Sequence, residues 1–285
     1  MSIEDGTFEA PVTGGVLRGS VRGDGIRVLL LHGGPGLEWT YLHPVLDELN
    51  DGYRVATYQQ RGLAPSTAGA PYDVATQVGD VTAVLDVLGW DQALVVGHSW
   101  GGHLLLHLLA AHPDRLSGAL VVDPLGGVGD GGQAEFEATM LARTPPADAQ
   151  RADELDRQAL AGEGTEADAA ESLRLLWPAY FANRAAAPPF PEPGMSVEAY
   201  AATYESLLSE LPGLAARLAG VTVPTEFLHG EKSPMPVTAS MDSADAIGAA
   251  ARVQVVDGAG HFVWWERPGC VRAALDRLVS ERLGS

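Results

Sequence analysis

The chain has 285 residues, 46% of them hydrophobic, with 37 acidic against 18 basic side chains. A formal charge of −19 argues against nucleic acid and against anionic membrane surfaces, because binding to phosphate draws its affinity from Lys and Arg. The single cysteine, Cys270, builds no disulfide framework, and Lys232, the only lysine, is the sole candidate for Schiff-base chemistry.

No run approaches the ~18 apolar residues of a membrane helix. The start, MSIEDGTFEA, is acidic and has no apolar h-region, so a soluble, cytoplasmic protein is expected. In chain order, Gly6 to Val12 and Val16 to Arg22 alternate around Thr13-Gly14-Gly15, which predicts an antiparallel hairpin at a sheet edge. Gly25–Leu31, Tyr53–Tyr58, Ala93–Val96, Gly118–Val122, Val223–Leu228 and Arg252–Val256 are short apolar runs, the pattern of strands covered on both faces. Between them, Ala75–Leu88 carries apolar residues at helical spacing and ends at Gly89. Gly101–His112 is apolar nearly all round and stops before Pro113, as a buried helix would. Pro268–Leu283 reads as an amphipathic closing helix. Strands alternating with helices predict an α/β protein whose mostly parallel sheet is flanked by helices.

Residues 126–219 break this rhythm. They are rich in Ala, Glu, Asp and Pro, and helices are predicted at Ala134–Ala142, Ala149–Ala161, Glu166–Phe181 and Ser196–Leu211. The expected organisation is a core of 1–125 and 220–285 with a helical cap, 126–219, inserted between two strands. Residues 126–213 hold 15 acidic and 5 basic side chains, a net −10 out of −19. Such a lid favours a small-molecule partner that is cationic or amine-bearing.

Gly97-His98-Ser99-Trp100-Gly101 fits G-x-S-x-G directly after a strand and directly before a helix. The glycines permit a tight turn that lifts the Ser99 hydroxyl out of the sheet, and the helix N-terminus favours developing negative charge. A serine hydroxyl attacks only when a base takes its proton and a third group orients that base. His261, in Asp257-Gly258-Ala259-Gly260-His261 just past the last strand, falls at the same rim of the sheet and is the expected base. His103 and His107 stand four apart, but no carboxylate or cysteine accompanies them, so they read as helix histidines and no metal is expected. His98 packs beneath the turn. His32-Gly33-Gly34-Pro35-Gly36 follows the first central strand and can aim the Gly34 amide at an oxyanion, with the Trp100 amide as second donor. Neither G-K-[ST] nor G-x-G-x-x-G follows, which argues against a nucleotide loop.

HGGPG at 32–36, QRG at 60–62, GHSWGG at 97–102 and GAGH at 258–261 resemble the α/β-hydrolase superfamily. HGGPG and QRG resemble its proline iminopeptidase-like branch more narrowly. The resemblance covers the core and implies an eight-stranded sheet, a helical cap after the sixth strand, no cofactor, and Ser–acid–His catalysis in that chain order. Epoxide or haloalkane hydrolysis is disfavoured, since those members use Asp where this chain has Ser99. Two departures stand out. The superfamily's usual acid falls in a segment like G-E-K-D, here Gly230-Glu231-Lys232-Ser233, so that carboxylate is missing. Asp123, ending the sixth strand, is where some haloalkane dehalogenases and lactonases of this fold carry theirs; Glu231 is the alternative acid, and Asp257 a third. The family's D-Q-R-G-x-G-x-S becomes Gln59-Gln60-Arg61-Gly62-Leu63-Ala64-Pro65-Ser66, without the Asp and the second Gly. Iminopeptidases hold the substrate amine with cap and loop glutamates, for which Glu38 and Glu205 are candidates beside Glu210 and Glu231. Trp39 and Trp264 are candidates for an aromatic pocket wall. The expected function is a cofactor-independent serine hydrolase cleaving a small carboxylic ester or lactone through an acyl-enzyme. The alternatives are an aminopeptidase of the proline iminopeptidase type, a carbon–carbon bond hydrolase, and a non-catalytic ligand-binding protein on the same scaffold.

Overall fold

A computed structural model describes residues 5–280; the expectations for residues 1–4 and for the closing helix beyond 280 lie outside it. The chain opens with β1 (Gly6–Val12), β2 (Gly15–Arg22), β3 (Ile26–Leu31), α1 (His43–Glu48) and β4 (Tyr53–Gln59). It continues through α2 (Val74–Leu88), β5 (Ala93–Ser99), α3 (Trp100–Ala111) and β6 (Leu116–Pro124). Four helices follow: α4 (Gln133–Arg143), α5 (Pro146–Leu160), α6 (Glu166–Leu176) and α7 (Val197–Leu218). The chain then re-enters the sheet with β7 (Thr225–Gly230), α8 (Val237–Ile247), β8 (Ala251–Val256), α9 (Val263–Glu266) and α10 (Cys270–Leu278).

The eight strands form one sheet in the order β1-β2-β4-β3-β5-β6-β7-β8. β2 pairs antiparallel with both β1 and β4, and the remaining five pairings are parallel. The mostly parallel α/β sheet flanked by helices is therefore present. The middle stretches of its central strands, such as Val28–Leu31, Leu94–Val96 and Ala119–Val122, are apolar because each face has its own cover. Leu29 and Leu31 of β3 and Val95 of β5 join α2, α3 and the C-terminal part of α7 in one core cluster. The alternating residues Val28, Leu30, Leu94 and Val96 point the other way, onto α1 and α10. Because β5 to β8 run parallel, the turns that follow them all open at the same end of the sheet. That end is where the candidate site residues fall.

Prolines reshape two helices relative to the sequence reading. α6 stops at Leu176 and the chain tightens into a 3₁₀ turn, Trp177–Tyr180, because Pro178 supplies no N–H. α7 instead runs seven residues past the expected end, straight through Pro212. The carbonyl that Pro212 leaves without its helical donor belongs to Leu208, a residue 47% exposed, while Leu211, Leu214 and Leu218 are held in the core cluster. Among the described residues no helix is long and apolar enough to cross a membrane.

Candidate active site

Ser99 ends β5, and Trp100 opens α3 with no connecting residue. The reversal puts Ser99 at φ 55°, in the left-handed region that a serine adopts only when its surroundings force it. The flanking glycines show what forces it. A Cβ on Gly97 would lie 2.2 Å from the Gly101 carbonyl oxygen, and one on Gly101 would lie 2.2 Å from that of Leu31. Strand end and helix start thus approach more closely than any side chain allows. Trp100, as the first helical residue, keeps a backbone N–H with no acceptor inside its own helix.

Asp123 reaches its position through a β-bulge. His98 pairs with Val122 and Ser99 with Pro124, so Asp123 is the extra residue, and its φ of 42° re-aims its side chain. Its Oδ1 lies 2.7 Å from His261 Nδ1 and accepts a 2.6 Å hydrogen bond from the Ser233 hydroxyl, while Oδ2 accepts the Gly230 N–H at 2.8 Å. The residue is wholly buried. Burial alone would raise its carboxyl; His229 nearby, the bonded His261 and the Ser233 hydroxyl together outweigh burial and hold it below its ordinary value. The serine at the position of the superfamily's usual acid therefore faces Asp123 as a donor. Glu231 turns away, accepting from the Gly258 N–H and Lys232 Nζ.

The loop that carries His261 is clamped from two sides. The His261 N–H donates to the Tyr180 carbonyl at 2.8 Å, and the Gly260 N–H to Glu266 Oε2 at 2.6 Å. A Cβ on Gly260 would lie 2.4 Å from that same Tyr180 carbonyl. His98, under the turn, ties this loop to the glycine loop. Its Nε2–H donates to the His261 carbonyl at 3.1 Å, and its Nδ1 accepts from the Tyr41 hydroxyl at 2.9 Å. The Tyr41 oxygen in turn accepts the Gly33 N–H at 2.5 Å. Burial, then the neighbouring His261, pushes His98 well below the usual histidine value, so it stays neutral and can play both parts. Tyr41 sits in a short 3₁₀ turn with no motif around it, and sequence reasoning missed it.

The other two motifs converge on the same framework. His32 is held neutral by burial, with a value lowered to about 4; its Nε2 accepts the Gln60 N–H at 2.9 Å, and its Nδ1–H donates to the Gly33 carbonyl at 2.7 Å. Gln60 bridges the His32 carbonyl and the Trp100 indole N–H at 2.8 and 2.9 Å. Gln59, which replaces the family's Asp, donates to the Leu37 carbonyl at 3.0 Å and accepts the Trp39 N–H at 3.2 Å. Arg61 is spent on a buried, two-pronged ion pair with Asp80 at 2.7 and 2.6 Å.

Ser99, His261, Gly34 and Glu38 line one cavity of about 170 Å³, walled largely by apolar and aromatic side chains such as Leu125, Phe136, Trp177, Tyr180 and Phe262. Three expected pocket residues do not line it. Trp264 is buried beneath His98, ring centroids 4.7 Å apart, and is part of the packing below the site. Glu205 is exposed on α7, and the Trp39 amide belongs to the Gln59 contact that shapes the loop. Glu38 lines the cavity, but its Oε2 already accepts the Gly194 N–H at 3.2 Å. His103 and His107 bond to each other, Nε2 to Nε2 at 3.2 Å. Among the described residues no group of three or more His, Cys, Asp and Glu is arranged to hold a metal ion.

Known proteins resemble this chain in sequence and in shape. Over 106 residues it is 38% identical to epoxide hydrolase B of Mycobacterium tuberculosis, a match covering 36% of this chain and 30% of that protein. It is 28% identical to epoxide hydrolase A of the same organism, over 87% of this chain and 88% of that one. The crystal structure of a proline iminopeptidase from Mycobacterium smegmatis superposes with a TM-score of 0.70 at 21% identity, covering 97% of this chain and 98% of that one, a likeness of fold. A family model described as the alpha/beta hydrolase fold matches residues 26–268. The chain belongs to the α/β-hydrolase fold family.

Proposed function

We propose that the protein is a serine hydrolase that cleaves a small carboxylic ester or lactone through an acyl-enzyme. The observation that carries this reading is a strained Ser99 sharing one cavity with His261, whose Nδ1 lies 2.7 Å from a buried Asp123. With Nδ1–H given to Asp123, the imidazole keeps Nε2 as its basic atom. Ser99 Oγ attacks the substrate carbonyl and His261 Nε2 takes its proton. The Gly34 and Trp100 amides donate to the oxyanion that forms, and the α3 N-terminus favours its charge. His261 then protonates the leaving alcohol. In the second half His261 draws a proton from water, which attacks the acyl carbon and releases Ser99. In this reading residues 126–219 act as the cap that supplies the aromatic roof of the cavity.

Chemistry at Ser99 also bears on the epoxide hydrolases among the relatives. A hydroxyl that opens an epoxide forms an ether, which water does not cleave under these conditions, so turnover would stop after one event. A carbonyl substrate gives an ester that the same base can hydrolyse. The amide reading, an aminopeptidase, is kept by Glu38 at the cavity wall. Comparing initial rates on 4-nitrophenyl acetate, 4-nitrophenyl butyrate and γ-butyrolactone with those on prolyl-4-nitroanilide tests the order. The esters or the lactone should exceed the anilide in kcat/KM by more than about 100-fold, roughly 2.7 kcal/mol of activation free energy. Faster anilide cleavage would replace the ester reading with the aminopeptidase.

A further inference from the structure

A second cavity, about 140 Å³, also borders the glycine loop, at Gly34, Pro35 and Gly36. Gly34, Leu37, Leu173, Tyr180 and Tyr200 line both cavities, so the two share one wall. Its other walls come from α5, α6 and the start of α7, and they are apolar except at Asp156, Ser172, Ser196 and the two phenols. Ser196 is occupied as the cap of α7, where its side chain accepts from the Ala199 N–H. Ser172 Oγ donates to Asp156 Oδ1 at 2.6 Å.

Asp156 is the anomaly. The three fully buried carboxylates among the described residues each have a basic partner: Asp80 has Arg61, Asp123 has His261, and Glu226 has Arg252 and Arg277. Asp156 is half-buried at the cavity wall, its carboxyl raised by burial and then by neighbouring Asp153, with no arginine, lysine or histidine bonded to it. Its hydrogen bond from Ser172 occupies Oδ1, and among the described residues no basic side chain takes Oδ2. A neutral donor there would return only a hydrogen bond. An ammonium group would return both the hydrogen bond and the missing countercharge, beside two phenol rings whose faces attract cations. The net −10 of residues 126–213 draws the same kind of ligand toward this side of the molecule.

We propose that Asp156 and the second cavity form a recognition subsite for a protonated amine, and that the substrate is an ammonium-bearing ester or lactone. Its carbonyl sits at Ser99 while its ammonium group docks on Asp156, the linking atoms running past Gly34, Leu37 and Tyr200, which line both cavities. The catalytic half of this inference rests on the hydrolase reading; the binding half does not.

Two measurements test it. Calorimetric titration with n-butylammonium and with butan-1-ol should show the cation binding at least tenfold more tightly, and Asp156→Asn should abolish that preference. In the unaltered protein the n-butylammonium Kd should rise as pH falls through the titration of Asp156, while that for butan-1-ol stays level. The second measurement is kcat/KM for phenyl esters of alanine, 3-aminobutanoate and 6-aminohexanoate against isobutyrate, 3-methylbutanoate and heptanoate, which carry methyl in place of ammonium. At least one ammonium ester should exceed its neutral partner tenfold or more, with the ratio collapsing toward one in Asp156→Asn. Equal binding of cation and alcohol, or a preference that survives Asp156→Asn, overturns the subsite. Tight n-butylammonium binding with no turnover of any ester would overturn the hydrolase reading and leave the subsite standing.

Discussion

Asparagine at position 123 keeps the size of the side chain and exchanges one acceptor oxygen for an NH2 donor. Asp123 now serves three donors: His261 Nδ1–H and the Ser233 hydroxyl on Oδ1, and the Gly230 N–H on Oδ2. The Gly230 N–H can only donate, so the asparagine carbonyl must face it, and the new NH2 falls on His261 and Ser233. Ser233 can rotate its hydroxyl to accept. The imidazole can accept on Nδ1 only by moving its proton to Nε2, the atom that has to take the Ser99 proton. The expected loss is about 10⁴ in kcat, or ~5.4 kcal/mol of activation free energy, by analogy with other triads held in the wrong tautomer. Only the Ser233 hydroxyl proton loses its acceptor, a change of about 1 kcal/mol, so the melting temperature should fall by only ~2–4 °C. Burst kinetics with 4-nitrophenyl acetate read the acylation step directly. Glu231→Gln is the control: Glu231 bonds to Gly258 and Lys232, so its loss should change the rate by no more than about threefold, as for other surface substitutions. In Asp123→Asn/Ser233→Asp the carboxylate returns at a side chain whose oxygen lies 2.6 Å from the old one, and part of the loss should be recovered. An Asp123→Asn variant within tenfold of the parent, or an inactive Glu231→Gln, would refute the assignment of the acid.

Gly101→Ala places a methyl group 2.2 Å from the Leu31 carbonyl oxygen, so α3 must retreat from β3; stability should fall by at least the ~1–3 kcal/mol of core overpacking, read by urea unfolding, with ester turnover lost alongside. Tyr41→Phe leaves the Gly33 N–H without its acceptor and His98 Nδ1 without its donor, which should cost ~1–3 kcal/mol in the same assay. Because Gly33 precedes the Gly34 amide, kcat should drop about tenfold while KM moves little, the pattern of a donor that matters only in the transition state. Burial holds His32 and His103 down to about 4 and, with help from His103 and Arg217, His107 to about 3, against an ordinary 6.5. Each therefore binds its proton more readily unfolded: its contribution to stability is complete above pH ~6.5 and is lost as pH falls through the folded value, at up to ~1.4 kcal/mol per pH unit for each group. His107→Asn should flatten the dependence of unfolding free energy on pH between 6.5 and 3; an unchanged slope would show that the ring is solvated in the native protein.

Most of the sheet was legible because its strands are short runs of Val, Leu and Ile between glycine-bearing turns, and the site motifs sit at strand ends. That Ser99 and His261 meet at one cavity was readable for that reason. The contact of Asp123 with His261 was readable because the expected carboxylate at 233 is a serine, which turned attention to the end of β6. The bulge that aims it leaves no trace in composition. α1 and α8 were not foreseen: the first is six residues long, and the second, Val-Thr-Ala-Ser-Met-Asp-Ser-Ala-Asp-Ala-Ile, buries small side chains such as Ala239, Ser240 and Ser243 with little apolar period. Proline misled in both directions, since Pro178 converts a helix to 3₁₀ while Pro212 is absorbed within α7, one turn after the exposed Leu208. Tyr41 gains its contacts from a partner 57 residues away, and Asp156 reaches the second cavity through the packing of α5, α6 and α7; single-residue chemistry carries no sign of such placements. Trp39, Trp264 and Glu205 were chosen for proximity along the chain; aromatic residues near a motif pack beneath it as readily as they line its cavity.

The central claim is that Ser99 is a nucleophile made reactive by His261. Peptide mapping by mass spectrometry after treatment with a fluorophosphonate measures this without knowledge of the substrate. The expected result is one covalent adduct on the peptide containing Ser99, absent in Ser99→Ala and formed at least a hundredfold more slowly in His261→Ala. A folded protein whose Ser99 stays unmodified would contradict the claim and leave a ligand-binding protein on a hydrolase scaffold.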